Sequence, residues 1–227
     1  MKVMLLVTLM LCSKVSYAQF AIVADKDGYV NLRSAANKNS KVTHKLLNGQ
    51  LVHCFENDGN WISITSPIGD NELNGWIYND RCRLVADYPA IPVVAKGAGM
   101  VKLAKDSIEV VLMQRSFEKS KHTYKYQQGA SWIELVDNKR YWGEDGGLPK
   151  LEYKSIVVKW GTKTLELPQA AYADLYNPSL DRTKVNFDKD NNILYIYSSN
   201  SDGAGSYDII WKIENGVYKQ RFIGLGF

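Results

Sequence analysis

The sequence predicts a mostly β protein: a small N-terminal β-barrel, then a β-rich domain of antiparallel sheet carrying one short helix. Three observations predict it. The dipeptides Asp27-Gly28, Asn48-Gly49, Asp58-Gly59 and Asn74-Gly75 cut the first part of the chain into short extended runs, the spacing of a small barrel. From Val101 onward the extended runs are longer but still dominate. One segment, LPQAAYADLYNP, is punctuated as a helix, with Pro168 at its first position and Pro178 after its last turn.

The chain opens MKVMLLVTLMLCSKVSYAQF. Lys2 supplies a positive start, Val3 to Leu11 an apolar run, and Ser16-Tyr17-Ala18 the small residues of a cleavage site. Residues 1–18 therefore read as a secretory signal peptide cut after Ala18, too short to span a bilayer. Bulky Leu11 before Cys12 argues against lipoprotein processing. Removing 18 of 227 residues leaves 209, enough for two small domains or one larger one. Lys2 and Lys14 leave with the signal, so 28 basic residues fall to 26 against 24 acidic ones, and the net charge falls from +4 to +2. No long block of like charge offers a nucleic-acid footprint, and no later apolar run has membrane-spanning length. The expectation is a soluble protein, periplasmic or secreted, with no nucleic-acid partner and no membrane span in the mature chain.

Residues 19–86 form the expected barrel, with QLVHCFEN, NWISITS and GWIYND among its strands. Residues 87–101, with two prolines and two glycines, read as a linker or a packed connection. The β-rich domain is expected over 102–227. Its strands are DSIEVVLMQRSF, HTYKYQQ, SWIELVDN, LEYKSIVVKW, KTLELP and NILYIYSS, then a final pair around Asn215-Gly216. Ile209, Trp211 and Ile213 share one face before that turn. In the helical segment, Tyr172, Leu175 and Tyr176 would share a buried face.

The run AIVADKDGYVNLRSAANKNSKVTHKLLNGQLVHCFENDGNWISITS, closed by NGWIYNDRCRLV, carries an ordered series. It comprises Gly28, Asn31-Leu32-Arg33-Ser34, Ser40, Val42, Leu46 or Leu47, Gly49, Gly59, Trp61 and Gly75-Trp76-Ile77. On that series, residues about 20–86 resemble a bacterial Src homology 3 (SH3-like, SH3b-type) domain; the C-terminal half resembles no named family. Alternation sends Val30 and Leu32 into the barrel and Asn31 and Arg33 to the other face, where Arg33 can brace a loop. Trp61 and Trp76 are expected to bury a large area. Val52 and Cys54 share a phase, and Cys82 stands where the family has a core Leu. A Cys54–Cys82 disulfide is expected, or else two buried free thiols.

The resemblance implies a binding module that recognises cell-wall peptide or another extended ligand in a groove between loops. Tyr29, Tyr78 and the edge of Trp61 are its candidate contacts; the alternative is that these aromatics complete the core. The stretch SPIGDNELNG reads as a loop longer than a minimal turn, able to reshape that groove.

A residue inventory weighs against the usual wall-cleaving enzymes. No Cys follows Cys82, so the second half offers no thiol nucleophile. Its one histidine, His122, reads as a surface residue, short of the ligands a zinc peptidase needs. No nucleophile elbow is present, and FDKDNNILY reads as an Asp/Asn turn, lacking the Gly and Glu of a calcium loop. No catalytic residue, metal or cofactor is expected. In KRYWGEDGGLPK, Tyr141 and Trp142 stand beside Glu144 and Asp145, and Asp202 begins a second flexible turn in NSDGAGSY. These residues form a candidate recognition surface, or else an ordinary strand end and loop. The leading expectation is a non-enzymatic envelope binding protein contacting wall peptide or an envelope protein. One alternative is an inhibitor or immunity protein that blocks an exported hydrolase or toxin. Another is a hydrolase built from distant Asp/Glu pairs.

Overall fold

A computed structural model of the protein describes residues 19–69 and 71–226; the expected signal peptide, residues 1–18, lies outside them. The first strands are β1 (Gln19–Val23), β2 (Tyr29–Arg33), β3 (Val42–Leu47), β4 (Leu51–Asp58), β5 (Trp61–Ile68), β6 (Asn71–Tyr78) and β7 (Cys82–Leu84). They form one curled antiparallel sheet in the order β3-β2-β6-β5-β4-β1-β7. Its interior holds Ala21, Val23, Val30, Leu32, Leu46, Val52, Cys54, Ile62, Ile64 and Ile77. Val30 and Leu32 point inward as alternation requires, and Arg33 reaches out to donate to the Ser40 carbonyl at 2.8 Å.

Two features of the barrel depart from the sequence expectation. SPIGDNELNG lengthens the β5–β6 hairpin, whose pairing continues to Ile68↔Asn71. Asn74-Gly75 is therefore strand and not turn. Gly75 lies against β2, where a Cβ would meet the Arg33 carbonyl oxygen at 2.6 Å, so the missing side chain permits the close approach of two strands. Trp76, one residue before the wholly buried Ile77, alternates outward and is half-buried, whereas Trp61 is buried.

The chain continues through β8 (Val93–Gly97), β9 (Met100–Lys105), β10 (Ile108–Ser116), β11 (Tyr124–Tyr126), β12 (Ile133–Val136), β13 (Leu151–Trp160) and β14 (Lys163–Glu166). The last four strands are β15 (Lys184–Asp188), β16 (Ile193–Asn200), β17 (Tyr207–Glu214) and β18 (Val217–Leu225). Residues 87–101 thus contain a strand, and Tyr88 and Ile91 are buried. A five-stranded sheet has the order β14-β13-β10-β9-β8, and a four-stranded sheet the order β15-β16-β17-β18. β11 and β12 make a separate ribbon. A bulge where β10 meets β13 at Met113/Gln114 lets Tyr153 and Ile156, three residues apart, face the same core. Asn215 and Gly216 both have positive φ, as the two-residue turn between β17 and β18 requires.

The four-stranded sheet is buried on both faces. Leu194, Ile196, Ile209, Trp211 and Ile213 pack towards the five-stranded sheet. Ile193, Tyr195, Ile210 and Phe222 pack the other way, onto Phe20, Ile22, Leu51 and Val85 of the barrel segment. β1 is the hinge of this arrangement: Ala21 and Val23 enter the barrel core, and Phe20 and Ile22 enter the second.

The short helix is a three-residue 3₁₀ turn, Gln169–Ala171, led by Pro168. Tyr172, Leu175 and Tyr176 are buried, as expected, but in irregular backbone. Backbone groups there serve other elements. The Ala171 carbonyl accepts from Trp211 Nε1 at 2.8 Å and from Arg221 at 3.1 Å, and the Tyr176 carbonyl accepts from the Tyr207 hydroxyl at 3.1 Å. An α-helix would take the Ala171 carbonyl for itself.

Candidate functional site

Trp61 and Tyr78 face each other across β5 and β6 and stack with ring centroids 3.9 Å apart. Tyr78 also lines a recess of about 320 Å3 with Asn60, Asn79, Asp80 and Arg81. An aromatic face beside neutral, acidic and basic groups is able to hold an extended peptide, whose backbone needs both donors and acceptors. Tyr29 is not part of this recess; the Lys45 ammonium covers its ring at 4.2 Å from the centroid.

The recess is anchored from behind. Arg81 pairs with the buried Asp25, whose other oxygen accepts the Asp27 amide at 2.7 Å. These two contacts hold the Asp25 carboxyl below its ordinary value. Asn48 closes the same corner, accepting from the Asp25 amide at 2.9 Å and donating to its carbonyl at 2.7 Å.

Cys54 and Cys82 do come together in the barrel, but the expected bridge is not formed: both are free thiols. The neighbouring Cys82 thiol and burial push Cys54 well above the ordinary thiol range. The Cys54 thiol beside it holds Cys82 below that range. Cys82 in turn reaches the Asn79 carbonyl at 3.6 Å.

In the second half, the 141–147 and 200–207 segments converge. Glu144, Asp145 and Asp202 line a cleft of about 710 Å3 that also takes in Lys150, Asn177 and Arg182. Gly143 has a φ of 99°, and a Cβ there would meet the Tyr176 carbonyl oxygen at 2.0 Å. Gly205 packs on the Glu144 backbone, where a Cβ would come within 2.9 Å. Asn177, itself at positive φ, donates to the Gly143 carbonyl at 2.7 Å and to Glu144 at 3.1 Å. Its side-chain Oδ1 accepts from the Lys150 and Leu151 amides, and Ser201 donates to the Gly143 carbonyl at 2.9 Å. Asn177, Ser201 and Arg182 escaped the sequence reading; the only local signal was the turn-forming Asn177-Pro178 pair.

Tyr141 and Trp142 do not line that cleft. Tyr141 joins Phe117, Tyr124 and Tyr176 in a small aromatic core, with its hydroxyl on the Ile133 and Gly147 carbonyls. Trp142 packs on the main core under Arg140, 4.9 Å from its ring. His122 is not a surface residue. Its side chain is 13% exposed, stacked on Phe117 at 4.5 Å, with Nδ1 2.6 Å from Asp137 and Nε2 3.2 Å from Glu152. Both ring nitrogens are used in holding the loop to β13.

A third polar group lies where the barrel meets the four-stranded sheet. His53 is fully buried, stacked on Phe20 at 4.7 Å, with Nε2 3.2 Å from Asp208. Ser199 donates to the other Asp208 oxygen. Among the described residues His53 Nδ1 has no hydrogen-bond partner, and it abuts Gly224. An Nε2–H donated to the Asp208 carboxylate fits this geometry. The carboxylate stands between serine and imidazole, so this histidine cannot take the serine's proton as a catalytic triad would require. Among the described residues no group of three or more His, Cys, Asp or Glu side chains is placed to hold a metal ion. No helix among them is long and apolar enough to cross a membrane.

Residues 28–81 match the family described as bacterial SH3 domain. That stretch is an SH3b-type unit; the C-terminal half is unassigned. No curated protein and no solved structure matches the chain.

Proposed function

We propose that this chain is an exported, non-enzymatic binding protein of the cell envelope whose SH3b-type unit contacts wall peptide or an envelope protein. The observation that carries this reading is the stacked Trp61–Tyr78 pair at the polar recess, inside the stretch that matches the bacterial SH3 family. The non-enzymatic part is supported by the roles of the reactive side chains. His122 and His53 each hold elements together, and Cys54 and Cys82 face each other inside the barrel.

The reading is tested by co-sedimentation of the full chain with purified peptidoglycan, and by capture of envelope proteins. Tyr78→Ser should lower the bound fraction several-fold, because one half-buried aromatic anchor at a recess carries a large share of such contacts. Equal sedimentation or capture of variant and parent sinks the barrel assignment.

A second reading is favoured by the convergence of the two loops around Glu144 and Asp202. There a protein partner, such as an exported hydrolase or toxin, is held and blocked. Asp145→Lys with Asp202→Lys, both exposed, would then abolish capture of that partner and leave wall binding unchanged.

A further inference from the structure

The barrel and the four-stranded sheet leave a cleft of about 480 Å3 at their junction, within the size range of small-molecule sites. Its apolar wall is Phe20 and Tyr197, set edge to face at 6.5 Å. The Tyr197 hydroxyl donates to Asn186 at 3.0 Å, which fixes the ring. Lys184 lies directly opposite Tyr197 across β15 and β16, so the two side chains emerge on the same face of the sheet. Arg182 stands two residues before it, also lining the cleft.

The charges here are unevenly used. Asp208 is 6% exposed, and both its oxygens are engaged, one by Ser199 and one by His53. Arg182 and Lys184 are exposed and, among the described residues, neither side chain makes a salt bridge. Two cations against one engaged carboxylate leave the lining with a formal +1. A single negative charge balances that, whereas a dianion exceeds it and faces Asp208 as well. A guanidinium offers a carboxylate two parallel donors, and the ammonium beside it adds a point charge.

We propose that this cleft binds a small monocarboxylate with a flat apolar body, the body against Phe20 and Tyr197 and the carboxylate on Arg182 and Lys184. The site is separate from the Tyr78 recess and does not depend on what the barrel binds.

Calorimetric titration of the full chain tests it with 3-phenylpropionate and indole-3-acetate as probes, and with 3-phenylpropanol and inorganic phosphate as controls. Both carboxylates should bind saturably, about tenfold or more tighter than the alcohol or phosphate. Arg182→Ala with Lys184→Ala should weaken them by about tenfold or more without moving the melting temperature, since both side chains are exposed. Tyr78→Ser should leave the carboxylate affinity unchanged. Equal affinity for the alcohol, equal affinity for phosphate, no saturable binding at millimolar concentration, or undiminished binding by the double variant would each overturn the proposal.

Discussion

Asp25 ties the 25–28 turn to Arg81, and its depressed carboxyl makes that tie pH-dependent. A carboxyl whose folded value lies below the unfolded one stabilises the fold fully above the ordinary value of 3.8. The contribution is lost as pH falls through the lower folded value. Asp25→Asn should therefore be less stable than the parent at neutral pH, with the two converging as the pH falls through the depressed folded value. Denaturant midpoints measured from pH 7 to pH 2 check this, and parallel curves would show that Asp25 contributes nothing through its charge. The cysteines give a second residue-scale outcome. In the reduced protein, iodoacetamide should label Cys82 before Cys54, because Cys82 is partly exposed and held towards thiolate while Cys54 is buried and pushed the other way. Peptide mass mapping over time reads the order; simultaneous labelling would mean that burial does not separate the two thiols. Side-chain phase was legible in the sequence here: Val30, Leu32, Val52 and Cys54 all point where alternation sends them. The mutual contact of Cys54 and Cys82 depended on how the sheet curls.

At the scale of elements, local signals were read well wherever a strand answers only to its neighbours. Asn215-Gly216 makes its hairpin, and β10, β13 and β17 lie where the apolar runs put them. The signals misled where a distant element competed for the same groups. Asn74-Gly75 has turn chemistry, but the close approach of β2 makes it strand. LPQAAYADLYNP has helix punctuation, yet its carbonyls are taken by Trp211, Arg221 and Tyr207, which lie 31 to 50 residues away in sequence. Gly143 is the comparable case for the second cleft. Gly143→Ala would place a Cβ on the Tyr176 carbonyl at a positive φ, and should cost about 2–4 kcal/mol. It should also displace Glu144 from Asn177. Thermal unfolding and the amide spectrum of residues 141–147 measure both; an unchanged spectrum would show that the cleft does not rest on this glycine.

For the whole molecule, the decisive feature is the second core, where Phe20, Ile22 and Leu51 of the barrel meet Ile193, Tyr195, Ile210 and Phe222. Because both halves bury their apolar surface in it, the chain should unfold in a single calorimetric transition. Ile210→Ala should lower its stability by about 2–5 kcal/mol without splitting it. A fragment limited to 19–86 should bind a hydrophobic dye, since Phe20, Ile22 and Leu51 would face water. Two resolved transitions would mean that the shared core couples the halves only weakly.

By itself the sequence determined the mostly β class, the SH3b-type stretch, the Asn215-Gly216 turn and the inward phase of the barrel strands, because each is carried by local residue patterns. Only the tertiary structure decided that both faces of the last sheet are buried, that His53 meets Asp208, that the 141–147 and 200–207 loops share a cleft, and that Arg182 and Lys184 overlook another. Those outcomes depend on which surfaces pack together across as many as 155 residues of sequence. Alternation along a strand says which side chains share a face, but it does not say what that face will meet.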